Sequence, residues 1–250
     1  MADIAAGLSA SAGSAVCTAR MVDPMNTDAT AAPGPVLLDV LGEARELGYL
    51  GPGPISPHVE HSDGFVAVLR RELASRPLDT DGPLIVELGS GGGIPGLVVA
   101  DRLPDARVVL VESLGKRAAF LRFAVTRCGW DGRVTVVEQR AELMGHEAQW
   151  RAAADAVVAR SFGAPAVVAE CGAPLLALGG VLVVSEPPPS GAPSVEAKEG
   201  RWPAGPLREL GLEVGGTERG AFGYQVLRQV NRCPDRYPRR VGIPSKRPLF

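Results

Sequence analysis

An α/β fold, built on a mostly parallel seven-stranded sheet with the last strand antiparallel and an N-terminal helical cap, is the architecture this sequence predicts. Three observations predict it. From Leu84 onward, short apolar runs alternate with helix-length stretches, the pattern of strands joined by crossover helices. A glycine-dense turn, Gly89–Gly96, follows the first of these runs and leads into a helical stretch. The last two apolar segments lie close together around a glycine-containing turn and pair as a hairpin.

The first 35 residues are rich in Ala, Ser, Gly and Pro and have Asp at position 3 with no basic start. They read as a disordered leader (1–35) and not as a secretory signal. A helical cap is expected over 36–80, where Leu37–Leu47 and Phe65–Ala74 each carry one apolar face. Between them, the prolines of the segment Gly51–Pro57 argue against helix. The main domain is expected over 81–231. Its parallel strands are Leu84–Leu88, Arg107–Glu112, Val134–Glu138, Ala156–Ala159 and Val181–Ser185. Helices at Pro95–Arg102, Leu114–Cys128, Glu147–Ala153 and Ala164–Leu178 connect them as right-handed crossovers. A Pro/Gly/Ser-rich linker follows, then Leu207–Leu210, then the hairpin Leu212–Thr217 and Gly223–Val230. Residues 232–250 read as a basic tail.

Composition excludes several classes. At 250 residues, 46% hydrophobic and 22% charged, the chain has the make-up of one catalytic-sized globular domain. No apolar run reaches the roughly 18 residues that cross a bilayer. Cys17, Cys128, Cys171 and Cys233 are scattered with no C-x-x-C pair, which argues for reduced thiols in a cytoplasmic compartment and against zinc or a disulfide framework. His58-Val-Glu-His61 offers two potential metal ligands without a third, so it reads as packing, and no metal is expected. The net charge is only −2, but Arg228, Arg232, Arg236, Arg239, Arg240, Lys246 and Arg247 crowd the C-terminus against Asp235, a pattern suited to phosphate backbones.

The chemistry concentrates at the glycine turn. Gly91, Gly93 and Gly96 satisfy G-x-G-x-x-G, so by pattern alone a nicotinamide dinucleotide remains open. The flanking acids favour S-adenosylmethionine. Glu87, just before the first glycine, suits a ligand with a positive amino group, and a pyrophosphate there would be repelled. Glu112, about 20 residues on at the end of the second strand, stands where a carboxylate accepts from ribose hydroxyls and fits either cofactor. Glu142 follows the third strand, where an adenine ring would lie.

In order along the chain, GSGGGIPG, VESLGKRAAFLR, QRAEL, VVARSFG and YPRRVGIPSKRPL resemble the bacterial glucose-inhibited division B family of ribosomal RNA methyltransferases, from His58 to Phe250. The resemblance implies a Rossmann-like class I methyltransferase fold with S-adenosylmethionine as cofactor. It also implies methyl transfer to N7 of a guanine in small-subunit ribosomal RNA by a monomeric, cytoplasmic protein. It places cofactor contacts at Gly89, Ile94, Ala141, Glu142 and Arg160, beside Glu87, Gly91, Gly93 and Glu112 from the residue reading.

Arg160 is expected to position cofactor or base. Arg160-Ser-Phe replaces the acid-Pro-Pro-aromatic motif of some amino-group methyltransferases, and N7 carries no proton, so no general base is expected. Lys116 and Arg117, with Arg236, Arg239, Arg240, Lys246 and Arg247, are the candidate phosphate contacts. Two segments depart from the family: Val-Val-Ser185-Glu-Pro-Pro stands where members show an Ala-Leu-Lys-Gly-like segment, an acid in place of a cation, and Gly51–Ser62 replaces an Asn-containing segment. Another RNA site, a small-molecule acceptor, or a non-catalytic cofactor- or RNA-binding role are the alternatives.

Overall fold

The computed structural model describes residues 33–77, 80–187 and 200–250. The expected leader, apart from residues 33–35, and most of the linker after Glu186 lie outside these described residues. Two helices come first, α1 (Pro35–Glu46) and α2 (Ser56–Ala74). The alternating portion follows as β1 (Leu84–Leu88), α3 (Gly96–Arg102), β2 (Arg107–Glu112), α4 (Gly115–Arg127), β3 (Val134–Glu138), α5 (Ala141–Met144), β4 (Ala154–Ala159), α6 (Pro165–Gly172) and β5 (Leu176–Glu186). Then come α7 (Ala204–Glu209), β6 (Leu212–Arg219), β7 (Gly223–Gln229) and the short α8 (Ile243–Lys246).

The sheet has seven strands in the order β3-β2-β1-β4-β5-β7-β6. Strands β1 to β5 pair in parallel, while β7 runs antiparallel to both neighbours, so it alone is reversed. This is the Rossmann-like class I methyltransferase sheet. The chain winds outward from β1 to β3 and then returns to place β4 on the other side of β1. That reversal opens a crevice beyond the carboxyl ends of β1 and β4, where ligands bind in such sheets.

The central strands bury both faces, so alternate residues feed two cores. Ile85, Val108 and Leu110 meet Leu37, Leu41, Phe65, Leu69, Leu97 and Leu121 on the side covered by α1 to α4. Val86, Val109 and Leu182 meet Met144, Leu175, Leu207 and Tyr237 on the other. Each such large side chain, fully buried, contributes about 1.5–3 kcal/mol.

Three local expectations are corrected. Helix α2 starts at Ser56, because Pro57 falls in its first turn, where a missing N–H costs nothing. The expected helix over Ala164–Leu178 ends at Gly172 and passes through a single 3-10 turn containing Pro174, after which Leu176 already pairs with Ala154. The helix expected over Glu147–Ala153 is a series of turns, and the helical turn lies earlier, at α5. Among the described residues no helix is long and apolar enough to cross a membrane.

Candidate active site

Strand β1 delivers the chain into the glycine turn. Gly89 and Gly93 have φ of 68° and 90°, left-handed values that only glycine adopts readily. A Cβ on Gly89 would lie 2.7 Å from Cδ2 of Phe162, so backbone and aromatic ring meet without room for a side chain. Glu112, at the end of β2, supports the turn from the other side. Its Oε2 accepts from the Gly91 N–H at 2.9 Å and its Oε1 from the Leu114 N–H at 2.8 Å. Each oxygen keeps a second lone pair, which leaves the carboxylate able to accept from a ribose.

Glu87 sits differently from the sequence expectation. It is 1% exposed and lies beneath the turn, with Oε1 accepting from the Gly96 N–H at 3.0 Å. Burial pushes its carboxyl up to about 7, against the pull of hydrogen bonding and of Arg160. Oε1 thus braces the turn, while Oε2 is buried without a hydrogen-bond partner among the described residues. Ile94 is likewise buried beneath it, in the core shared with Leu97 and Leu121.

A cleft opens over the turn, lined by Gly89, Val111, Gln139, Ala141, Glu142 and Phe162. Gln139 Nε2 is buried there without a hydrogen-bond partner among the described residues, a donor left open for a ring nitrogen. Glu142 is 3% exposed. Its carboxylate is gripped by Arg140, at 2.9 Å and 3.2 Å, and accepts from the Gly242 N–H at 3.0 Å. Burial alone would raise its pKa, but Arg140 and the backbone amides outweigh it and hold the carboxyl below the ordinary value. Val111 and Phe162 present apolar faces to this narrow cleft of about 30 Å³, beside the orphan donor of Gln139.

Arg160 follows β4 directly, next to Ser161, whose φ of 55° is unusual for a residue with a side chain. Its guanidinium donates to His58 Nδ1 at 2.8 Å. His61, one turn along α2, stacks on Phe222 with centroids 4.5 Å apart, and burial, then Arg160, lowers its pKa to about 4. Beyond β4 and β5 lies a second cavity of about 400 Å³, walled by His61, Arg160, Phe162, Glu186, Arg201 and Trp202. Phe162 lines both it and the cleft. Among the described residues no group of three or more His, Cys, Asp or Glu is placed to hold a metal.

The candidate phosphate contacts divide. Lys116, Arg236, Arg240, Lys246 and Arg247 are exposed, and Arg117 stacks over the Tyr49 ring at 5.6 Å. Arg239 does not belong with them. Its guanidinium and its backbone N–H are committed to Glu170, which is fully buried, at 2.6–2.8 Å. Residues 232–250 are therefore docked on the domain, with Cys233 and Tyr237 buried and Arg151 donating to the carbonyls of Cys233, Pro234 and Tyr237.

Similarity to known proteins agrees with this geometry. A family model described as rRNA small subunit methyltransferase G (GidB) matches residues 73–186. Ribosomal RNA small subunit methyltransferase G of Rubrobacter xylanophilus is 41% identical over 174 residues, 66% of this chain and 64% of that protein. That of Pelotomaculum thermopropionicum is 36% identical over 181 residues, covering 71% and 74%. The chain belongs to the rRNA small subunit methyltransferase G family. Among solved structures, an O-methyltransferase from Bacillus cereus superposes with a TM-score of 0.53 at 15% identity, covering 80% of this chain and 93% of that one. A methyltransferase from Geobacter sulfurreducens gives 0.52 at 14% identity, covering 80% and 92%. These two speak for the fold.

The site also gathers residues outside the sequence expectations. Gln139 and Phe162 lie inside the motifs QRAEL and VVARSFG, so an orphan amide and an aromatic wall were in view without a reason to choose them. His58 reads as packing in the sequence, yet it meets Arg160. Arg201 and Trp202 had no sequence signal, because their partner Glu186 lies on the far side of the linker.

Proposed function

We propose that this chain transfers a methyl group from S-adenosylmethionine to N7 of a guanine in small-subunit ribosomal RNA, acting as a cytoplasmic monomer on the RNA or the small ribosomal subunit. One observation carries the reading: the cleft over the glycine turn and a cavity of about 400 Å³, large enough for a base, share Phe162, with a permanent cation, Arg160, on the cavity wall. The cofactor supplies an electrophilic sulfonium methyl. The protein's own residues bind, orient and exclude water. Guanine N7 attacks with a lone pair and loses no proton, so alignment and desolvation suffice. The groups on the wall agree with that requirement. Arg160 accepts no proton, and His61, held to about 4, is a poor base at neutral pH.

The test compares modified nucleosides in ribosomal RNA from cells with and without the gene. Loss of one 7-methylguanosine is expected, and an unchanged profile ends the ribosomal assignment. In vitro, affinity for the RNA should fall steeply as salt rises, because Lys116, Arg117, Arg240, Lys246 and Arg247 displace counterions from phosphates.

A further inference from the structure

The far wall of the acceptor cavity carries a buried carboxylate that the reaction does not require. Glu186 ends β5 and is 8% exposed. Its Oε1 accepts from the Trp202 indole N–H at 2.8 Å, and its Oε2 from Arg201 Nε at 2.9 Å. A buried carboxylate is costly unless it is paired and hydrogen-bonded. Here the two partners meet that requirement and leave a second lone pair on each oxygen, on a residue that lines the cavity. Arg201 also brings the local charge near zero, so the site does not repel an incoming phosphate chain.

Strand register fixes where this carboxylate stands. Ala159 pairs with Leu88 on one side and Val184 on the other, so β1 and β4 end level and β5 runs two residues further, to Glu186. Neighbouring strands lie about 4.8 Å apart, which puts the head of β5 roughly 10 Å from the Gly89 turn. A purine lying across the head of β4, with N7 toward the turn, points its opposite edge at Glu186. In guanine that edge carries N1–H and the N2 amino group, two parallel donors. In adenine the N1 position is a lone pair, which a carboxylate repels.

We propose that Glu186, held by Arg201 and Trp202, is a specificity-determining residue that accepts hydrogen bonds from N1–H and the N2 amino group of the acceptor guanine. This rests on the guanine-N7 reading above. It explains why a carboxylate is tolerated where relatives by resemblance carry a lysine: the arginine that neutralises it is supplied from beyond the linker. Phe162 and Trp202 give the base apolar walls, and Arg160 lines the same cavity. The discrimination needs no proton transfer.

The experiment pairs protein and base. The guanine that the wild-type protein methylates is first mapped on small ribosomal subunits. RNA is then ligated to carry guanine or inosine, which lacks the N2 amino group, at that nucleotide. Wild-type protein should lose about 10- to 100-fold in kcat/KM on inosine, the scale of one lost base-edge contact. Glu186→Leu, which removes both acceptor oxygens, should lose about 100-fold on guanine, keep its affinity for S-adenosylmethionine, and treat guanine and inosine within roughly threefold of each other, since the contact to N2 is already gone. If that variant does not fold, the wild-type comparison decides alone. Equal wild-type rates on guanine and inosine overturn the proposal and leave the methyltransferase reading intact. A wild-type protein that binds S-adenosylmethionine but methylates no guanine in RNA ends the guanine reading, and this proposal with it.

Discussion

Arg160 donates to Nδ1 of His58 across 2.8 Å, joining the end of β4 to the second helix of the N-terminal cap. A guanidinium has no acceptor, so Nδ1 is the acceptor and the imidazole is neutral with its proton on Nε2. Burial, then the Arg160 charge, lowers the His58 pKa and favours that state, while the Gly51 backbone opposes it. The cap therefore orients the cation on the cavity wall.

His58→Ala should release Arg160 from that orientation. Methyl transfer should slow about tenfold, the scale of one charge-assisted hydrogen bond, while the S-adenosylmethionine Kd changes less than twofold. Transfer of a radiolabelled methyl, with calorimetric titration of the cofactor, separates the two. An equal loss of both would place His58 in cofactor binding instead.

Gly89→Ala should abolish measurable cofactor binding. It combines a left-handed φ of 68° with a Cβ placed 2.7 Å from Phe162. Adding Phe162→Ala removes the collision and leaves the backbone strain of about 1–2 kcal/mol. Calorimetry should then show partial recovery, with the double variant still roughly tenfold or more weaker than wild type.

Glu87 and His61 give opposing pH dependences. Burial raises the folded Glu87 from 4.5 to about 7, so between those values the folded chain holds the extra proton and stability falls as pH rises. His61 is lowered from 6.5 to about 4, so between those values the unfolded chain holds the extra proton and stability rises with pH. From about pH 4.5 to 6.5 the two oppose each other. Glu87→Gln removes the first, and urea denaturation of that variant should show stability climbing with pH more steeply than wild type, by up to about 1.4 kcal/mol per pH unit.

Arg239→Ala should destabilise the fold by about 3–5 kcal/mol, because it strands the fully buried Glu170. Arg240→Ala, at an exposed neighbour, should change stability by less than about 0.5 kcal/mol and instead reduce the salt dependence of RNA binding. Chemical denaturation and binding across a salt series read the two effects apart.

The residues from 84 to 112 state their structure locally. Continuous apolar runs bury both faces of β1 and β2, the glycines permit backbone that other residues resist, and Glu112 ends its strand where the fold needs a carboxylate. Such features are legible because the constraint and the residue that answers it are neighbours in the chain.

What the sequence by itself determined is the winding of the sheet, the glycine turn and the family motifs, all set by short-range periodicity and backbone sterics. Tertiary structure alone decided which polar groups are committed to partners and which stay open. Arg239 is taken by Glu170 from 69 residues away, Arg160 meets His58 across 102, and Glu186 meets Trp202 across 16 that include the linker. Charge and hydrogen-bond pairing act through space, and a list of residues carries no distances.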